Sequence, residues 1–386
     1  MRKYFEFLSE TKIKCGESAL STINEELRYW GCSHPILLTS QNVTKLGVTA
    51  KVQAALNADT VTGCLLYDNV PAKADADIVR AIKKSYLSEK CDGIIALGGD
   101  GVMDTAKCLK LFLTQGCDEI LPIAGENAEK SKEVPLIAIP TENGSGKEAN
   151  GYLETEGRYV TSRTLCPNAV IIDEDTAMAA PARTIAACGV HALTNAIEAF
   201  LHCDDLDPAG IYAETAIKAL YENLGSAVKD GDNEAACRAT AVAATYAGIA
   251  YGNYPFGAAH ALAEGLSEIS GEPVEEMLCT TLVPAMKAAK ETHADKLRTI
   301  LSHITSADEH AEIPESERAE KAISKIEELL ESLREIANIP TKIRQTKIAR
   351  EDFGRIAEAS ASTRESITAT NVLDTSAFID LLNEAY

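Results

Sequence analysis

The first 180 residues alternate short apolar runs with stretches of helical period. Pro35–Thr39, Val61–Leu66, Gly93–Leu97, Pro135–Ile139 and Ala169–Ile172 read as strands, with helices over Val43–Ala55, Ala72–Ser88 and Met103–Thr114. Apolar strands separated by amphipathic helices predict a parallel sheet covered by helices. From Pro181 the pattern changes. Arg183–Leu201, Pro208–Leu224, Glu234–Tyr251, Gly257–Ile269 and Glu275–Lys290 carry long apolar faces without β alternation, and a charged connection, Asp308–Lys321, leads into an amphipathic helix over Lys321–Ala337. The expected organisation is an α/β domain over residues 1–180 and an all-helical domain over 181–386.

Two turns at strand ends carry the first candidate chemistry. Gly98-Gly99-Asp100-Gly101-Val102-Met103-Asp104-Thr105-Ala106-Lys107 follows the apolar run Ile94–Leu97. Glycines there let the backbone approach a diphosphate, and the helix start presents N–H groups to it. A second turn, Ile139-Pro140-Thr141-Glu142-Asn143-Gly144-Ser145-Gly146-Lys147-Glu148, can add polar contacts. Neither is a G-x-G-x-x-G or P-loop pattern, so spacing alone leaves two ordinary strand-to-helix turns open. Ligands of such sheets meet the carboxyl ends of the strands, where both turns begin.

Composition narrows the class. The chain has 386 residues and a net charge of -21, from 58 acidic and 37 basic residues, which disfavours a nucleic-acid surface. Lys12-Ile13-Lys14 and Lys83-Lys84 read as solvated surface charges. A hydrophobic content of 46% with mean hydropathy of -0.08 fits a soluble protein, and neither a leader pattern nor a membrane span is expected. The cysteines number eleven and form no close C-x-x-C pair, which points to a reducing cytoplasm.

Taken in order, the motifs resemble those of the iron-containing alcohol dehydrogenase family. Gly98–Lys107 follows that family's G-G-G-S-x-x-D-x-A-K, with Asp100 and Gly101 substituted, and Ile139–Glu148 follows I-P-T-T-A-G-T-G-S-E. Gly189-Val190-His191-Ala192-Leu193-Thr194-Asn195-Ala196-Ile197-Glu198 resembles G-x-D-A-L-T-H-A-I-E, and Tyr251-Gly252-Asn253 with His260-Ala261-Leu262-Ala263 resembles a later family helix. The resemblance implies a Rossmann-like domain followed by a helical one, a dehydroquinate synthase-like architecture, with chemistry in their cleft. It implies an NAD(P)-dependent oxidoreductase acting as a homodimer on a small alcohol or aldehyde. The alternative is a nucleotide-responsive binding protein with a decayed site.

By the same resemblance, Gly98, Gly99 and Gly101 approach the cofactor diphosphate, Asp104 helps define the nicotinamide or ribose region, and Thr141, Asn143 and Ser145 line the second turn. Ser40 stands after the Ile36–Thr39 run where NAD-preferring relatives often carry an acid; losing that charge lowers the barrier to a 2'-phosphate, so the expectation leans to NADP over NAD.

The metal positions depart from the pattern. The resemblance assigns the family's aspartate and histidine ligands to His191 and Asn195, a histidine to His260 and the fourth ligand to Val274, which cannot coordinate a cation. A remodelled zinc or iron site over His191, Asn195 and His260, assisted by Glu264, is one reading. The expected one is metal-independent turnover, with His191 or His260 exchanging the proton and Glu264 orienting His260 or relaying that proton. Tyr254 and Phe256 are candidates for an apolar substrate lining, with core packing as the other use for both rings.

Overall fold

In a computed structural model the chain is described at residues 5–56, 60–116, 118–119, 133–141, 144–155, 158–177, 180–204, 206–254, 257–363 and 373–386. It divides into two compact units, Leu8–Ala180 and Pro181–Tyr386, the second taking in the N-terminal residues up to Phe7. The Phe7 ring stacks on Tyr212 with centroids 5.8 Å apart.

The first unit holds a six-stranded sheet of β1 (Lys12–Cys15), β2 (Pro35–Thr39), β3 (Leu65–Tyr67), β4 (Gly93–Gly98), β5 (Leu136–Pro140) and β8 (Ala169–Ile172). Their order is β1-β8-β5-β4-β2-β3, and every pairing is parallel. The inner strands β2, β4, β5 and β8 are buried at every residue, which is why they read as unbroken apolar runs. A hairpin of β6 (Tyr152–Thr155) and β7 (Arg158–Thr161) forms a separate antiparallel pair.

Three local readings are corrected. The helix expected over Val43–Ala55 is two, α2 (Gln41–Lys45) and α3 (Val48–Ala55), because Gly47 takes φ 80° between them. The strand expected over Val61–Leu66 pairs only at Leu65–Tyr67, on the sheet edge. Lys12 to Lys14 is not simply a solvated charge pair: it belongs to edge strand β1, and both ammonium groups reach the buried Glu26 carboxylate, at 2.7 and 2.8 Å.

From β2 the chain moves to β3 on one side, and from β4 it moves to β5 on the other. The connection therefore switches direction between β2 and β4, and the crevice beyond their carboxyl ends is the ligand position of such sheets. Helix α5 (Asp100–Gln115) leaves β4 there, buried from Val102 to Phe112. Two of its buried side chains are lysines, whose ammonium groups reach polar oxygens. Lys107 donates to Tyr152 O at 2.6 Å and Asn150 Oδ1 at 3.1 Å, and Lys110 donates to Cys166 O at 2.9 Å and Asn168 Oδ1 at 3.2 Å.

The second unit is helical, with α7 (Ala182–His202), α8 (Pro208–Lys229), α9 (Glu234–Asn253), α10 (Ala258–Ser270), α11 (Val274–Ile304), α13 (Arg318–Ala337) and α14 (Phe353–Ala361) as its main helices; α12 (Ala307–Glu312) is short. Helix α7 has the length and hydropathy of a membrane span, but 94% of that window is buried inside the protein, as expected of a core helix apolar on all sides. Helix α11 breaks at His293, whose φ/ψ of -127°/30° is not helical. The ten cysteines among the described residues are free thiols.

Candidate active site

In the α/β unit, Gly99 caps α5 and its carbonyl accepts from Val102 and Met103 at 3.0 and 3.1 Å. N–H groups of a helix's first turn have no partner within the helix, which suits an anion. A Cβ on Gly98 would lie 2.6 Å from Val102 Cγ2. One on Gly101 would lie 2.3 Å from the Ala72 carbonyl oxygen, so Gly101 lets α5 start against the Pro71–Ala72 backbone. Three buried hydroxyls at this end of the sheet, on Thr39, Thr105 and Thr141, have no hydrogen-bond partner among the described residues. Orphaned buried hydroxyls are costly and point to a ligand's polar atoms, so the turn fits a dinucleotide.

The other expected nucleotide contacts take definite places. Ser40 caps α2, its Oγ accepting from Val43 N at 3.4 Å directly after β2. Ser145 Oγ donates to Asp100 Oδ1 at 2.5 Å and accepts from Lys147 N at 3.4 Å. Asp104 is buried and held by Lys147 Nζ at 2.7 Å; burial pushes its carboxyl up to about 6 against the pull of Lys147 and Lys107. Burial opposes the charge of Lys147, but Asp104, Asp100 and Glu154 more than offset it and hold the ammonium well above its usual range. For Lys107 burial dominates and lowers the ammonium to about 8. Asn143 lies outside the described residues.

In the helical unit, the decisive contact joins α7 to α10. His260 Nδ1 lies 2.6 Å from Glu198 Oε2, and the second carboxylate oxygen accepts from Ala259 N at 2.7 Å. Both side chains are 5% exposed. His260 Nε2 is buried and has no hydrogen-bond partner among the described residues. With Nδ1–H directed at the carboxylate, Nε2 is the ring nitrogen left to exchange a proton. The Tyr251 ring tilts over His260 at 4.7 Å between centroids, and the His191 ring lies 5.3 Å from the His260 ring, so the structure brings His191 and His260 together.

Glu264 does not orient His260. The orienting carboxylate is Glu198, which sequence reasoning missed although it closes the motif around His191. Tyr254 is also committed elsewhere: its buried hydroxyl donates to Asp207 Oδ2, and Asp207 caps α8 through Ala209 N at 2.9 Å. Tyr251 is the ring that packs on the histidine. Phe256 lies outside the described residues.

Comparison with known proteins decides the family. The iron-containing alcohol dehydrogenase family matches residues 10–174, and its C-terminal counterpart, described as Fe-containing alcohol dehydrogenase family, C-terminal, matches residues 185–386. The chain belongs to the iron-containing alcohol dehydrogenase family. Choline dehydrogenase of Bacillus subtilis (strain 168) is 28% identical over 309 residues, covering 78% of this chain and 76% of that protein. NAD-dependent methanol dehydrogenase of Bacillus methanolicus is 26% identical over 253 residues, covering 64% and 66%. The crystal structure of 1,3-propanediol oxidoreductase matches with a TM-score of 0.90 at 23% identity and covers 100% of both chains, which shows the shared fold. The chain is thus an oxidoreductase of the alcohol dehydrogenase or reductase type.

The family name implies iron, and the residues present do not fit it. Among the described residues no three His, Cys, Asp or Glu side chains come together to hold a cation. Val274, at the fourth ligand position of the resemblance, packs against the apolar cluster that includes Leu278 and Phe378. His260 Nε2 is a suitable donor, but Asn195 on α7 is a weak ligand type, and the Glu198 carboxylate is already engaged by His260 and Ala259.

Proposed function

We propose that this enzyme interconverts a small alcohol and its aldehyde or ketone with a nicotinamide dinucleotide, and that His260, set by Glu198, moves the proton without a metal ion. The observation that carries this reading is the 2.6 Å contact of His260 Nδ1 with Glu198 beside a buried, unpartnered Nε2.

When bound, the nicotinamide supplies or accepts the hydride at the carbinol carbon. In reduction, the carbonyl π pair moves onto oxygen as the new C–H bond forms, and the imidazolium of His260 gives its Nε2 proton to that oxygen. Glu198 holds the ring by Nδ1 throughout and balances the charge that His260 carries before transfer. In oxidation Nε2 accepts the hydroxyl proton. Tyr251 and His191, packed on the ring, restrict its rotation.

Dinucleotide binding rests on the glycine turn, on the unpartnered Thr39, Thr105 and Thr141 hydroxyls, and on a relative named as NAD-dependent. NADP is favoured because the residue after β2 is the uncharged Ser40. Gly98, Gly99, Gly101, Asp104 and Ser145 complete that proposed site. A homodimer in a reducing cytoplasm belongs to the same proposal, supported by the family resemblance and the scattered free thiols; light scattering tests the dimer.

Steady-state assays with NADPH and NADH over a panel of linear, cyclic and acidic aldehydes test the function. His260→Ala and Glu198→Gln should keep the dinucleotide Kd while kcat falls by about 10² or more, the range of general acid–base catalysis. Nucleotide binding without turnover of any panel member, or full activity in His260→Ala, overturns the reading.

A further inference from the structure

Two departures from the family motifs meet in space. The pattern G-G-G-S-x-x-D-x-A-K has glycine where this chain has Asp100, and I-P-T-T-A-G-T-G-S-E has serine where it has Lys147. One substitution adds a carboxylate at the first residue of α5, and the other adds an ammonium to the second turn. Lys147 Nζ lies 3.9 Å from Asp100 Oδ2, while Ser145 Oγ donates to Asp100 Oδ1 at 2.5 Å. Both oxygens of the new carboxylate are therefore engaged from the second turn. Lys147 is fixed in place by Asp104 at 2.7 Å and Glu154 at 3.6 Å, and only 12% of its side chain is exposed.

A carboxylate at a helix start takes up the positive end of the helix dipole, and it repels a diphosphate placed there. Glycine at this position does neither. A carboxylate in the diphosphate turn consequently weakens nucleotide binding unless a cation offsets it. Lys147 is a cation within ion-pair reach of it, at 3.9 Å.

Resting on the nucleotide reading above, we propose that Lys147 is a positioning residue for the dinucleotide: it neutralises Asp100 and, with Ser145, draws that carboxylate aside, so that the diphosphate turn binds its ligand despite an acidic residue. Asp100 and Lys147 then act as one unit, and the chain exchanges the family's Gly/Ser pair for an ion pair of no net charge. The unit also ties the two nucleotide turns together, which the Gly/Ser pair does not.

The experiment is equilibrium titration of NADPH and NADH against wild type, Lys147→Ser, Lys147→Arg, Asp100→Asn and Asp100→Gly/Lys147→Ser, at two salt concentrations, with thermal melts as a folding check. Lys147→Ser should weaken binding by about 10-fold or more, and Lys147→Arg should stay near wild type. The double variant should return to within roughly 3-fold of wild type, and Asp100→Asn, which leaves the Lys147 ammonium unopposed by that carboxylate, should tighten binding and make it fall more steeply with salt. If Lys147→Ser does not fold, the Asp100→Asn titration decides alone. A double variant as weak as Lys147→Ser, or an Asp100→Asn affinity equal to wild type, overturns the inference while leaving the nucleotide reading intact. A wild type that binds neither nucleotide overturns both.

Discussion

A Cβ on Gly257 would lie 1.8 Å from the carboxyl carbon of Glu198 and 2.0 and 2.1 Å from its oxygens. The φ of 173° at Gly257 is extended backbone open to any residue, so glycine is required here by the carboxylate and not by the conformation. The residue that caps α10 and the residue that orients its histidine are fitted to one another. Gly257→Ala should push Glu198 off His260 Nδ1, lower kcat by roughly 10² and leave the dinucleotide Kd unchanged. Stopped-flow single turnovers with a reactive aldehyde measure this, and a fully active variant would show that the contact is not needed.

Coenzyme choice is tested at Ser40. Aspartate is as good an N-cap as serine, so Ser40→Asp keeps the start of α2 while adding the charge that disfavours a 2'-phosphate. The ratio of NADPH to NADH affinity should fall by about 10-fold or more. A ratio that does not move removes Ser40 from the coenzyme site.

How much was legible in the chain follows from range. The inner strands and long helices were read from local periodicity because both faces of the sheet, and α7 on every side, are buried. Strand β1 escaped because Ile13 is its one aliphatic residue, and what makes it a strand is pairing with β8 more than 150 positions away. The break at Gly47 needed the left-handed φ that only the folded chain displays. His260 was found as a candidate, but its partner was sought one helical turn along, at Glu264. The carboxylate that reaches it is 62 residues earlier, on another helix, and no local pattern encodes that distance.

The buried lysine of α5 predicts a pH dependence of stability. The folded ammonium of Lys107 titrates at about 8, below its usual 10.5, with burial the main cause. A lowered value means that the unfolded chain binds more protons between those two pH values, so folding gains from Lys107 as pH rises from 8 to 10.5 and the gain is lost as pH falls through 8. Relative to Lys107→Met, wild type should gain up to about 1.4 kcal/mol per pH unit in that window, measured by urea unfolding at several pH values. A difference that stays flat would mean that Lys107 keeps an ordinary ammonium inside α5.

Metal-independent proton transfer by His260 and Glu198 is tested most directly by assaying exhaustively chelated enzyme together with its metal content. The expected result is unchanged nicotinamide-dependent turnover in protein without stoichiometric metal, abolished by His260→Ala. Loss of turnover on chelation, with specific restoration by one divalent ion, would contradict it.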